Sequence, residues 1–119
     1  MNHFLKYSFS FFCLLACSAC NNDGIDILDI EIPEPYDTLE ENARTKSSTI
    51  FNMTSTDCFS EDTGLEVDAL GGEPGVNSAR YAGEGRSFEA NIDKLLEKMQ
   101  GVDDRRARFR TVISLLING

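Results

Sequence analysis

The chain has 119 residues, with 20 acidic against 11 basic side chains and a formal net charge of -9. That length allows one small domain at most, and the negative balance disfavours a nucleic-acid partner. The single histidine is His3 and tryptophan is absent, so beyond the first residues no imidazole can serve as general base, metal ligand or triad member.

Lys6 precedes an apolar run from Tyr7 to Ala16, YSFSFFCLLA. As a helix this run would reach about 15 Å, half of a hydrocarbon core, too short to cross a membrane. Cysteine then follows small residues twice, in LLAC ending at Cys17 and in CSAC ending at Cys20. With its charge, short apolar stretch and small residues, the segment resembles a bacterial lipoprotein signal peptide of the lipobox type. The resemblance covers only residues 1–20 and the few after them. It implies removal of residues 1–19 and a lipid on Cys20, with Cys17 as the alternative. It also implies a cell envelope location, anchored by that lipid to the outer membrane. Cleavage at Cys20 leaves Cys58 as a lone thiol in an oxidising compartment. Cleavage at Cys17 leaves Cys20 and Cys58 free to pair, closing a loop of about 38 residues worth roughly 3–4 kcal/mol. No family resemblance extends to the rest of the chain.

From Asp23 to Glu73, fourteen acids stand against Arg44 and Lys46, whereas from Pro74 onward six acids stand against eight basic residues. Residues 20–35 read as an acidic tether with isoleucines interleaved, ending at Pro33 in an edge-strand pattern. Asp23, Asp26 and Asp29 lack the calcium-loop order. Residues 36–70 read as a weakly structured region. Asp37 and Glu40 suggest a capping box for a short helix with Leu39 and Ala43 on its stripe, and Thr49 to Thr54 has strand composition. Within it, Glu61, Asp62, Glu66 and Asp68 are the clustered carboxylates available for acid–base work.

Residues 71–87 hold five glycines and a proline and read as a flexible loop or hinge. GEGRS, ahead of a helix, lacks the GK[ST] ending of a phosphate loop. The clearest element follows: Ser87 caps a helix from Phe88 to about Gln100, stopped by Gly101. Phe88, Ile92, Leu95, Leu96 and Met99 share one face of that helix. Asp103 or Asp104 can cap a second helix carrying Phe109, Val112, Ile113 and Leu116. A strand is the rival, because Phe109, Ile113, Leu115 and Ile117 alternate and Thr111 to Ile113 are β-branched. The helix is preferred, so residues 88–119 are expected to form a C-terminal αα-hairpin.

The expected fold is therefore small, α+β or mostly α, with a partly disordered acidic front half and that hairpin behind it. The expected function is a non-catalytic, lipid-anchored accessory protein that binds another envelope protein. An assembly, pilotin-like or exclusion role would fit. Phe88, Ile92, Leu95, Leu96 and Met99, with Arg105, Arg106, Arg108 and Arg110, would form the partner-binding surface. The arginines would otherwise neutralise carboxylates of the front half. Neither a cofactor, a metal nor a small-molecule substrate is indicated. The alternatives are a small carboxylate-dependent envelope hydrolase, and a disordered spacer or fragment of a longer protein.

Overall fold

Leu39, Asn42, Ala43, Ser47 and Ile50 recur at helical spacing and are buried, and they make Leu39–Thr54 the helix α1 of the computed structural model, which describes residues 32–119. Thr38 caps it: its hydroxyl accepts from the Glu41 amide at 3.2 Å and donates to the Glu41 carboxylate at 2.7 Å. A threonine N-cap of this kind stabilises by about 1 kcal/mol. The helix ends where Ser55 turns left-handed, at φ 50°, and its amide donates to the Phe51 carbonyl at 2.7 Å.

Strand β1, Cys58–Val67, turns Cys58, Ser60, Asp62 and Gly64 toward α1 by its period of two. A short strand β2, Pro74–Gly75, pairs with one edge, and β3, Ala107–Leu116, pairs with the other, giving the antiparallel order β2-β1-β3. The β1–β3 ladder runs unbroken from Cys58 opposite Leu116 to Val67 opposite Ala107. Helix α2, Phe88–Lys98, stands between β2 and β3 in the chain, capped by the Ser87 hydroxyl on the Ala90 amide.

The core between α1 and the sheet is made of Leu39, Ala43, Ile50 and Cys58, all buried. Full burial of a side chain such as Leu39 or Ile50 stabilises by about 1.5–3 kcal/mol. Polar groups enter this layer only with partners. The Ser60 hydroxyl donates to the Ala43 carbonyl at 2.5 Å, Ser47 meets Ser114 at 2.7 Å, and the Cys58 thiol donates to the Ser47 carbonyl at 3.3 Å. Among the described residues no buried side-chain nitrogen or oxygen lacks a partner. The opposite sheet face is only partly covered: Val67 is buried there and Leu65 lines a recess with Tyr81 and α2, while Phe109 is 71 % exposed and Ile113 67 %.

Several expectations are corrected here. The αα-hairpin is absent, because residues 107–116 form β3, the rival reading. A strand pairs ten residues with β1 and turns Arg110, Val112, Ser114 and Leu116, its less exposed side, toward α1. The front half is not partly disordered over 39–67, which forms α1 and β1. The strand expected at Thr49–Thr54 is the last turn and a half of α1, held by Ile50 in the core. The cap sits one residue later than expected, on Thr38 with Glu41 rather than Asp37 with Glu40.

The glycine-rich segment 71–87 carries β2 and a 3-10 turn at Ser78–Arg80, just after another at Asp68–Leu70. The Ser78 hydroxyl accepts from the Leu65 amide at 2.8 Å and donates to the Gly75 carbonyl at 2.6 Å. Asn91 of α2 accepts from the Ala82 amide at 2.7 Å and donates to the Ser78 and Ala79 carbonyls.

Candidate functional site

The most chemically loaded place in the molecule is Lys46. It lies three residues after Ala43 and four before Ile50, on the side of α1 that faces the sheet. Its ammonium nitrogen is 2.5 Å from Glu34, 2.9 Å from Asp62 on β1, and 3.0 Å from the Glu61 carbonyl. The three side chains are 13 %, 13 % and 8 % exposed. Asn42 holds the segment bearing Glu34 against the helix: its Oδ1 accepts from the Tyr36 amide at 3.1 Å and its Nδ2 donates to the Tyr36 carbonyl at 3.0 Å.

Burial pushes the Asp62 carboxyl above the ordinary aspartate value of 3.8, with Lys46 pulling the other way and the Glu34 charge adding to the rise. A carboxylate of raised basicity beside an ammonium group is a proton acceptor with its counter-charge already in place.

Farther along the α1 side of the sheet lies a second cluster. Arg110 donates to Glu66 at 2.7 Å and to Glu40 of α1 at 2.6 Å, and Arg108 donates to Glu66 at 2.8 Å. The two guanidinium groups draw the Glu66 carboxyl below the ordinary value, and Arg110 does the same for Glu40. Asp62 and Glu66, both on β1, are four residues apart, which is about 13 Å along a strand. Lys46 and the two arginines thus form a stripe of cations, each held by carboxylates, that a polyanion could line up on. Among the described residues there is no group of three or more His, Cys, Asp or Glu side chains arranged to hold a metal ion.

The four clustered carboxylates do not converge. Asp62 pairs with Lys46 and Glu66 with the arginines. Glu61 accepts from the Thr63 hydroxyl at 3.3 Å, and Asp68 lies 3.7 Å from Arg106. Of the expected partner-binding residues, Phe88, Ile92 and Leu96 are exposed on α2, Leu95 is half-buried, and Met99 is buried. Arg105 donates to the Met99 carbonyl at 2.7 Å and Arg106 pairs with Asp104 at 2.8 Å.

Cys17 and Cys20 lie outside the described residues, as does the tether up to residue 31. Cys58 is a buried free thiol whose pKa burial raises. Lys46, Glu34 and Asn42 had no place among the expected site residues. The signal was there in Lys46, one of two cations in a run of fourteen acids, at a position on the buried stripe of α1.

The sequence model of the Ham1 family matches residues 14–119. A protein named dITP/XTP pyrophosphatase from Christiangramia forsetii is 51 % identical over 100 residues, 84 % of this chain and 48 % of that protein. One of the same name from Staphylococcus aureus strain MRSA252 is 52 % identical over 89 residues, 75 % of this chain and 46 % of that protein. The solved structure of the Staphylococcus aureus Ham1 protein superposes with a TM-score of 0.70 at 50 % identity, covering 76 % of this chain and 47 % of that one. A HAM1 protein from Coxiella burnetii superposes with a TM-score of 0.67 at 36 % identity. The chain spans about half the length of the curated relatives it matches.

These findings overturn the envelope reading. The match begins at residue 14, inside the stretch taken for a cleaved leader, and continues through Cys17 and Cys20. The relatives are named as enzymes acting on nucleotides, so the expectations of a non-catalytic protein, of no small-molecule substrate and of a lipid-anchored envelope binder are all corrected. Among the described residues no helix is long and apolar enough to cross a membrane.

Proposed function

Since the chain belongs to the Ham1 family, we propose that it takes part in hydrolysing a nucleoside triphosphate of the dITP/XTP class, releasing the monophosphate and pyrophosphate. The observation that carries this reading is the buried Lys46–Asp62 pair with Glu34, in a chain about half identical to proteins named for that reaction.

In this reading Asp62 accepts a proton from water, whose oxygen attacks the α-phosphorus. The bond to the bridging oxygen breaks and pyrophosphate leaves with the electron pair. Lys46 releases Glu34 or Asp62 to meet the phosphate oxygens, and its charge offsets what builds up on them. Arg108 and Arg110 exchange their carboxylate partners for the outer phosphates at the other end of the stripe.

The test is pyrophosphate release from dITP and XTP, compared with dATP and dGTP, by the protein expressed from its own gene. Asp62→Asn should lower the rate by about 10²–10⁴-fold, the range of general-base catalysis. Undiminished release by that variant would remove Asp62 from the reaction. Equal turnover of all four nucleotides would remove the substrate class.

A further inference from the structure

We infer that Asn42 is a positioning residue of the site: it acts through Glu34, pinning the segment ahead of α1 so that this carboxylate stays on Lys46 and beside Asp62. The inference rests on the reading of Lys46 and Asp62 as the reacting pair, and adds how the third charge is kept in place.

Glu34 stands outside every regular element, in a segment that enters α1 at Leu39. Tyr36 is 44 % exposed, so its side chain does little to hold this stretch down. The hold on its backbone comes from an amide. Asn42 is 2 % exposed, and its side chain both accepts from the Tyr36 N–H and donates to the Tyr36 carbonyl, at 3.1 and 3.0 Å. Meeting both backbone groups of one residue takes a side chain with donor and acceptor together; a carboxylate offers no hydrogen and an apolar side chain offers neither. A buried amide costs stability unless its bonds are made, and here they are made to the segment that carries Glu34.

The connection from clamp to acid is stiff. Only Pro35 separates Tyr36 from Glu34, and Pro33 precedes it. The ring fixes φ at Pro35, and a residue before proline is confined to extended backbone. With Tyr36 fixed, Glu34 has little room to swing. Asn42 and Lys46 lie four apart on α1, so one helix face presents both the clamp and the ammonium that Glu34 reaches at 2.5 Å. Against the burial that raises the Asp62 pKa, the Asn42 amide favours the charged carboxylate, whereas the Glu34 charge adds to the rise. Lys46 must loosen its hold on a carboxylate when phosphate oxygens arrive, and without the clamp Glu34 would drift into water at that moment.

The test compares the full chain with Asn42→Leu, Pro35→Gly and Ile50→Val in the pyrophosphate-release assay. Leucine keeps the branched shape at 42 and removes both bonds, while glycine at the exposed position 35 frees the backbone without touching α1. Both should lower kcat by about 10- to 100-fold, the effect of misplacing a reacting group by about 1 Å, with KM changed less than about threefold. Pro35→Gly should have no further effect in a Glu34→Gln background. Its acid limb of the pH–rate profile should also move to lower pH, since the Glu34 charge, which adds to the burial-driven rise of the Asp62 pKa, has moved off. Asp62 faces Lys46 and Asn42 of α1 and Glu34, and its neighbour on β3 is Val112. Ile50→Val, which thins the core farther along α1, should lower stability and leave kcat, KM and the profile as in the parent.

Hydrogen exchange reads the clamp without the reaction: the Tyr36 amide should be protected in the parent and exchange about tenfold faster or more in Asn42→Leu. If Asn42→Leu does not fold, Pro35→Gly decides. Unchanged kcat in Pro35→Gly, an equal loss in Ile50→Val, full additivity with Glu34→Gln, or an unprotected Tyr36 amide in the parent would each overturn the inference. Failure of the positioning role alone leaves the parent active, whereas absence of release by the parent removes the reaction and the role together.

Discussion

Lys46 is shared between two carboxylates, so removing the cation and removing one acid have different consequences. Lys46→Met leaves Glu34 and Asp62 facing each other without a counter-charge, and breaking a buried pair in this way costs about 3 kcal/mol at the lower end of its range. Asp62→Asn leaves the 2.5 Å pair between Lys46 and Glu34 in place, and should cost less than Lys46→Met. Urea melts of the two variants check the order, and a larger loss for Asp62→Asn would mean that Glu34 is not the stronger partner.

Asp62 also sets a pH dependence. Its pKa is raised in the folded chain, so the stability it contributes is present below 3.8 and is lost as pH rises through the folded value. For activity the sign is opposite, since a base must be ionised. The acid limb of the pH–rate profile should therefore lie above the ordinary aspartate value, and should be absent from the residual activity of Asp62→Asn.

At the level of elements, β1 depends on having no side chain at Gly64. A Cβ there would come within 2.4 Å of the Gly75 carbonyl oxygen and 2.7 Å of its carbon, both backbone atoms of β2. Gly64→Ala must push β2 away from β1, and should destabilise by about 1–3 kcal/mol, measured by thermal melting.

Across the β1–β3 ladder, Glu66 behaves oppositely to Asp62. Its carboxyl is lowered by Arg110 and Arg108, so its contribution is present above the ordinary value of 4.5 and fades as pH falls through the folded value. The difference in melting midpoint between the parent and Glu66→Gln should shrink on acidification.

The elements differ in how plainly the residues announced them. Helix α2 could be read because cap, stripe and glycine stop agree. β3 could not, because Phe109, Val112, Ile113 and Leu116 fit a helical stripe while alternate residues fit a strand. The deciding fact, a partner strand beginning at Cys58, lies far away in the chain. The second half of α1 was hidden by Thr49, Ile50 and Phe51, which favour strands, and by a buried stripe that includes Asn42 and Ser47.

For the whole molecule, a net charge of -9 opposes the approach of a triphosphate even if the local stripe welcomes it. The kcat/KM for XTP should rise as salt is added from low concentration to about 0.1 M, where the screening length falls to about 10 Å. A steady fall instead would show that the cations of the stripe govern the encounter.

The site itself was only partly legible. Asp62 stood out as one of four clustered acids, but its link to Lys46 crosses from helix to sheet and to a glutamate ahead of the helix. The apolar leader-like run misled for a simple reason. A mainly apolar run of ten residues before a cysteine satisfies the chemistry of an exported leader without being specific to one.

The long ladder of the sheet also sets the tempo at which this chain can acquire its shape. Even its innermost pair, Val67 with Ala107, joins residues about forty positions apart, and its outermost pair joins Cys58 to Leu116. Helices can form within microseconds from neighbouring residues, whereas the chain must surrender the freedom of the whole intervening loop before the first rung of β3 is in place. During that interval Phe109, Ile113, Leu115 and Ile117 have no neighbours to pair beside, and a newly made chain is at its most vulnerable to clumping. Cool, dilute synthesis should raise the yield of folded protein more than any change to the surface of α1.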